Sequence, residues 1–131
     1  MSRTDIIKQV IVIRTDTDPP MRKGKMVSQG CHSSIAFLTR RLQAGNDIKV
    51  KDLSKVEKEW ISNGFTKICV RVDSEEDLHK IHAAALADGL ESQIIKDHGK
   101  TEFKEPTYTC LAIGPDYSSK IDKITGHLKL L

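Results

Sequence analysis

The chain contains the segment Gln9-Val10-Ile11-Val12-Ile13-Arg14, in which a continuous apolar run stands between polar residues. Such a run is typical of a strand buried in the centre of a sheet. It is followed by the basic segment Met21-Arg22-Lys23-Gly24-Lys25-Met26-Val27-Ser28-Gln29-Gly30-Cys31-His32, which carries the first turns of a predicted helix. At the N-terminus of a helix, the free backbone N–H groups and the positive end of the helix dipole both favour an anion. We therefore expect a polyanionic ligand at this turn.

The helix after Gly24 has an apolar stripe with spacings of 4, 4, 3 and 4, formed by Val27, Cys31, Ile35, Leu38 and Leu42. This spacing is typical of the face that a helix buries. A different face carries Lys25, Gln29, His32 and Ala36. The pattern predicts that the first face packs on the core.

Further strands and helices alternate along the chain. We expect a helix from Ser54 to Gly64 with Trp60 in the core, followed by a strand at 66–72. Ser74 then caps a helix whose core stripe consists of Leu78, Ile81, Ala85 and Leu86. Two strands follow at 92–95 and 107–113, the second of which ends at Gly114-Pro115, and a last helix begins near Ser119. Interleaved helices imply parallel neighbours, whereas strands without a helix between them pair antiparallel. The sequence predicts one α/β domain over residues 1–131, with a mixed, mostly parallel sheet of about four strands and helices packed on both faces.

Composition and charge narrow the function classes. The 131 residues can bury a core without metals or disulfides. Neither a membrane span nor a signal peptide is expected. The net charge is +3, and residues 1–65 hold 12 basic against 7 acidic side chains, which favours local phosphate contact over a nonspecific nucleic-acid coat. Three scattered cysteines predict a reducing cytoplasm and no zinc site, with Cys69 and Cys110 as small core residues.

Two polar clusters, at 21–32 and 96–101, each follow a predicted strand. If both loops open on one edge of the sheet, Lys23, His32, Asp97 and Thr101 converge. A carboxylate, a cation and neutral hydrogen-bonding groups together suit the activation of water against an ester. The sequence contains neither a Gly-x-Ser-x-Gly elbow nor a P-loop.

The chain resembles the type 2 peptidyl-tRNA hydrolases of archaea and eukaryotes over nearly its whole length. The resemblance lies in Met-x-Lys-Gly-Lys at 21–25, Gln29 with His32, Asp-x-Gly-x-Thr-Glu at 97–102, the segment from Thr109 to Pro115, and Ile-Thr-Gly-His-Leu-Lys-Leu-Leu at 124–131. It implies hydrolysis of the ester between a peptide and the 3′ end of tRNA, without a metal or other cofactor, in the cytoplasm. A homodimer is a further expectation.

The resemblance also implies roles for particular residues. Those assigned to catalysis are Lys23, Asp97 and Thr101, together with Gln29 and His32 in the helix motif. Asp97 would orient or deprotonate water, and Lys23 would offset charge that develops on the ester. Contacts with tRNA phosphates are expected from Arg22, Lys25 and Lys100.

Several alternatives stay open at this point. The departures Gly30-Cys31 and His98 from the family pattern motivate one alternative, a noncatalytic tRNA-binding or protein-interaction module on the same fold. Deacylation of aminoacyl-tRNA is a third function. Lys23 and Lys25 could belong to an ordinary solvated turn, Asp97 could only stabilise its turn, and Thr101 could position rather than attack.

Overall fold

The computed structural model describes residues 5–100 and 102–131. Within these ranges, strands and helices follow one another as β1 (Ile7–Arg14), α1 (Lys23–Gln43), a 3-10 turn (Val50–Asp52), α2 (Lys55–Ser62), β2 (Lys67–Val72), α3 (Glu75–Ala87), β3 (Ser92–Asp97), β4 (Thr107–Tyr117) and α4 (Ser118–Thr125). Each element that the sequence predicts is therefore present. Of the helices in the described ranges, none is long and apolar enough to cross a membrane.

The four strands form one sheet in the order β2-β1-β4-β3. β1 pairs with β2 in parallel, whereas β4 runs antiparallel to both β1 and β3. The mixed four-stranded sheet is thus confirmed, but the expectation that it is mostly parallel needs correction. The reason is that β3 and β4 are joined without a helix, so β4 must return antiparallel, and it then lies beside β1.

The sheet carries a core on each face, and both cores are closed by helices. Side chains of α3 and α4, such as Leu78 and Ile121, pack with Val10 and Val12 on one face. The other face carries Ile11, Ile13, Cys110 and Ala112, which pack with Ala36 of α1. Trp60 of α2 packs edge-on against Phe37 of α1, with ring centroids 6.1 Å apart. The predicted helices on both faces are confirmed, as is the burial of Trp60 and Cys110.

The apolar stripe of α1 faces solvent, so its predicted burial is wrong. Val27, Ile35 and Leu42 are 66%, 52% and 54% exposed, and Cys31 is also exposed. The helix instead buries mostly small and polar residues, namely Gln29, Gly30, Ser33, Ser34, Ala36 and Phe37. These small residues let α1 lie close to the sheet, and the polar ones find partners there. Ser34, for example, exchanges hydrogen bonds with the fully buried Gln9 of β1.

Three smaller expectations also need correction. Cys69 is exposed, because it lies on the edge strand β2. Leu86 is 52% exposed, because α3 buries the stripe that contains Leu78, Ile81 and Ala85. β4 does not end at Gly114-Pro115 but continues to Tyr117, where Ile7 is its partner on β1.

Candidate active site

The N-terminus of α1 opens at the edge of the sheet where β1 ends. Arg22 is the N-cap residue, and within the described chain its side chain makes no capping hydrogen bond. The first turn, Lys23-Gly24-Lys25, carries no acidic residue that would oppose an anion. The positive end of the helix dipole therefore adds to the lysine charges at this turn.

Lys25 and Asp97 form a closely packed ion pair beside this turn. The Lys25 Nζ donates to Asp97 Oδ2 at 2.7 Å, and the two side chains are only 11% and 12% exposed. The Lys25 ammonium also lies 5.4 Å from the ring centroid of the buried Phe103. Asp97 is the last residue of β3, so the pair joins the helix N-terminus to the far strand of the sheet.

Gln29 connects the same carboxylate to the interior of the sheet. Its Nε2 donates to Asp97 Oδ2 at 3.4 Å, and its Oε1 accepts a hydrogen bond of 2.5 Å from the Thr109 hydroxyl. Thr109 lies on β4 and is fully buried. Because the Oε1 is held by a buried donor, the amide nitrogen is turned towards Asp97.

The loop after β3 holds the other oxygen of Asp97. Gly99 N–H donates to Asp97 Oδ1 at 2.9 Å, which closes a turn of the kind that aspartate favours. Gly99 has a φ of +77°, and a Cβ there would lie 2.9 Å from the backbone of Glu105. Both facts require glycine at this position. The turn fixes the carboxylate independently of the ion pair.

The electrostatics of this arrangement favour a charged Asp97. Burial by itself would raise the pKa of the carboxyl group, but the hydrogen bonds from Lys25 and from Gly99 N–H outweigh it and hold the pKa below its ordinary value. Asp97 is therefore a carboxylate at neutral pH, and an ammonium is fixed next to it. Such a pair can orient a water molecule and offset negative charge that develops on a nearby carbonyl oxygen.

The structure brings together some of the predicted site residues and separates others. Asp97, Gln29 and Lys25 are in contact, whereas Lys23 is exposed and lies on the other flank of α1, about 200° around the helix from Lys25. His32 follows Gln29 by three residues and is exposed; within the described residues it makes no hydrogen bond or ion pair.

The remaining basic candidates, Arg22 and Lys100, are exposed. Thr101 lies outside the described residues. Among residues 5–100 and 102–131, His, Cys, Asp and Glu side chains do not gather in groups of three that could hold a metal ion.

Two buried residues of this site, Thr109 and Phe103, are not among the predicted site residues, although Thr109 begins one of the family motifs. Thr109 has a signal that could have identified it, because it is a polar residue directly before the apolar run at 110–113 of β4. A buried polar residue needs a hydrogen-bond partner. Phe103 has no comparable signal, since it lies in an irregular loop and its contact with Lys25 is purely tertiary.

The sequence of the chain matches a known protein family and several named relatives. Residues 7–131 match the profile of the family described as "Peptidyl-tRNA hydrolase PTH2". The chain is 47% identical over 126 residues to a protein of Methanocaldococcus jannaschii named peptidyl-tRNA hydrolase, which covers 95% of this chain and all of the relative. It is 40% identical, with the same coverage, to the protein of that name from Methanothermobacter thermautotrophicus. A probable peptidyl-tRNA hydrolase 2 of Dictyostelium discoideum is 37% identical over 94% of this chain and 54% of its own length. The chain therefore belongs to the peptidyl-tRNA hydrolase PTH2 family.

Proposed function

We propose that this protein is an enzyme that hydrolyses peptidyl-tRNA, by cleaving the ester between the peptide and the 3′ end of the tRNA. Water adds to the ester carbonyl carbon, the bond to the 3′ oxygen breaks, and the products are a peptide carboxylate and a free tRNA hydroxyl. Family membership over residues 7–131 supports the substrate class. The observation that carries the proposal for this chain is the nearly buried Lys25–Asp97 pair at the open N-terminus of α1.

The geometry supports a division of roles that differs from the sequence expectation. Asp97 orients the attacking water and accepts its proton, and Gln29 steadies the carboxylate. Lys25, which contacts Asp97, takes the role expected of Lys23 and offsets charge on the carbonyl oxygen. The exposed Lys23 joins Arg22 and Lys100 in binding phosphates.

The proposed chemistry needs no metal, because the carboxylate and the ammonium supply both the proton acceptor and the positive charge. Thr101 keeps the role of positioning Asp97 or the attacking water, and His32 stays a candidate for catalysis from the helix motif. These two assignments stay predictions.

The direct test is the incubation of purified protein with N-acetyl-aminoacyl-tRNA in excess EDTA. We expect release of the acylated amino acid at the rate seen without chelator, and much slower release from the matched aminoacyl-tRNA with a free amine. Tight tRNA binding without turnover would instead favour the noncatalytic module. Loss of activity in EDTA that zinc or magnesium restores, with the fold of the tRNA controlled, would contradict the metal-free chemistry.

Two further expectations belong to this proposal. We propose that the protein acts in the cytoplasm, and three free cysteines, Cys31, Cys69 and Cys110, support this because reducing compartments keep thiols unpaired. A homodimer stays a prediction, which sedimentation equilibrium tests. A single species near the 14.7 kDa of the chain would contradict it.

A further inference from the structure

A large apolar groove lies on the flank of α1 that faces away from Asp97. We call it the α1–β2 groove; it has a volume of about 860 Å³, a floor formed by Ile11 and Ile13, and walls formed by Val27 and Ile35 on one side and by Phe65 and Leu131 on the other. It exists because α1 packs over β4, β3 and β1 and leaves the β2 side of this face uncovered.

The groove exposes large apolar side chains that the core does not use. Val27 is 66% exposed, Ile35 52%, Leu131 50% and Phe65 46%. These four side chains line one surface, and clusters of exposed apolar side chains on a protein surface are often functional. The volume also lies within the range of roughly 300–1,000 Å³ that is usual for ligand sites.

The groove reaches the first turn of α1, and the candidate active site lies on the other flank of the same turn. Lys23 lines the groove, and Lys25, two residues further on, contacts Asp97 on the opposite flank. Between them lies Gly24, which is exposed; among the described residues, no atom beyond its chain neighbours and its own helix backbone lies within 4 Å of the place where a Cβ would be. A helix is about 10 Å wide, so about three residues of extended chain span the distance from the ion pair to the groove.

The lining of the groove favours an apolar acyl chain over a nucleobase. It offers aliphatic side chains and very few polar atoms, whereas bases are recognised by hydrogen bonds and by free aromatic faces. The one aromatic ring in the described lining, Phe65, is already engaged. Lys67 Nζ lies 3.2 Å from its centroid, and the Trp60 ring lies 4.4 Å away.

The charges around the groove also favour a neutral peptide as its occupant. The charged side chains that line it within the described chain are Lys23 and Lys67, both of them cations. A second copy docked on this surface would bring these cations close to their own counterparts. A neutral peptide esterified to a polyanion meets no such repulsion, whereas the free ammonium of an aminoacyl ester would.

We propose that the α1–β2 groove binds the peptide part of peptidyl-tRNA; this inference rests on the proposed function. The ester lies at Lys25 and Asp97, the peptide crosses α1 at Gly24, and its apolar side chains enter the groove. Binding energy from this remote part of the substrate raises kcat/KM for longer, apolar peptides.

The test compares two substrates that carry the same residue at the ester, N-acetyl-glycyl-tRNA and N-acetyl-Leu-Leu-Val-Gly-tRNA. Val27→Asn and Ile35→Asn make the groove polar at exposed helix positions. Leu86→Asn on α3 is the matched control, because Leu86 is as exposed as Ile35. We expect each groove variant to lower kcat/KM about tenfold or more for the long substrate, because burying one apolar side chain contributes about that factor to binding. For the short substrate, which does not reach the groove, we expect a loss of less than twofold. The control should change neither value.

A second measurement uses unaltered protein and does not depend on turnover. Cys31 lies in the groove and is exposed, so the free peptide N-acetyl-Leu-Leu-Val-amide should slow its alkylation, whereas deacylated tRNA should not. Equal losses on both substrates, no loss on either, or protection by tRNA alone would overturn the proposal. So would a dimer that Val27→Asn dissociates in sedimentation experiments. If the protein cleaves neither substrate, the proposed function fails, and peptide protection of Cys31 still decides whether the groove binds peptide.

Discussion

Replacing Asp97 by asparagine should separate catalysis from folding in a calculable way. The change keeps the shape of the side chain and the hydrogen bond from Gly99 N–H, but it removes the charge that Lys25 contacts at 2.7 Å. A positioned general base contributes about 10²–10⁴-fold to a rate, so we expect single-turnover hydrolysis to fall by this factor. The affinity for tRNA should change little, because the proposed phosphate contacts come from Arg22, Lys23 and Lys100 and do not include Asp97.

The same substitution has a cost in stability that follows from the burial of the pair. It removes the carboxylate that contacts the Lys25 ammonium, whose side chain is only 11% exposed. A hydrogen bond to a charged group contributes about 1.5–3 kcal/mol. A loss of about 2 kcal/mol in the free energy of unfolding corresponds to a drop in Tm of about 6–8 °C for a chain of this size.

Two controls make the result interpretable. Asp88→Asn changes an exposed aspartate at the end of α3 and should affect neither rate nor melting temperature. The double variant Lys25→Met/Asp97→Asn should melt above the temperature expected from adding the two single effects, because the interaction between the two side chains is counted in both single effects but is lost only once. If Asp97→Asn hydrolyses peptidyl-tRNA at the parental rate, Asp97 is only a turn residue and the site assignment fails.

Three further predictions concern pH, thiol reactivity and salt. Because the pKa of Asp97 is lowered in the folded protein, its carboxylate contributes stability above the ordinary aspartate pKa of about 4, and this stability is lost as the pH falls through the lowered value. The difference in unfolding free energy between the parent and Asp97→Asn should therefore be constant above about pH 5 and shrink in acid. Urea titrations that show the opposite trend would contradict this. Burial raises the pKa of Cys110 to about 11, so a thiol reagent at pH 8 should modify Cys31 in the folded protein and Cys110 only after unfolding, as peptide mapping would reveal. The affinity for tRNA should fall linearly in log[salt], and Arg22→Ala/Lys100→Ala should make the slope shallower by about one to two, whereas an unchanged slope would remove both residues from the tRNA surface.

The sequence predicts the order of strands and helices well because each has a local signal. The apolar run of β1, the capping box from Ser54 to Glu57 and the acidic first turn of α3 are all present in the structure. The buried face of α1 could not be predicted in this way. Its packing depends on Gln29 with Thr109 and on Ser34 with Gln9, which are partners between distant elements. Apolar periodicity therefore selected the exposed face.

The candidate site likewise has features that the sequence predicts and features that depend on tertiary packing. The sequence placed Asp97 and the basic turn together, because both follow strands that end near one another. It could not distinguish Lys23 from Lys25, since both precede the same helix. Only the rotation of α1 on the sheet brings Lys25 to the carboxylate and turns Lys23 towards the groove.

The central claim is that the Lys25–Asp97 pair is the reacting centre. Replacing Lys25 and Lys23 separately by methionine tests this claim most directly. Single-turnover hydrolysis of N-acetyl-aminoacyl-tRNA should be measured at saturating enzyme for Lys25→Met and Lys23→Met, with thermal melts to confirm folding. The account predicts that Lys25→Met lowers the saturated rate by about 10²-fold or more, the usual effect of losing one fixed charge-stabilising group. Lys23→Met should weaken binding but turn over at nearly the parental rate once saturated. A parental rate for Lys25→Met, together with a large loss for Lys23→Met, would contradict the account.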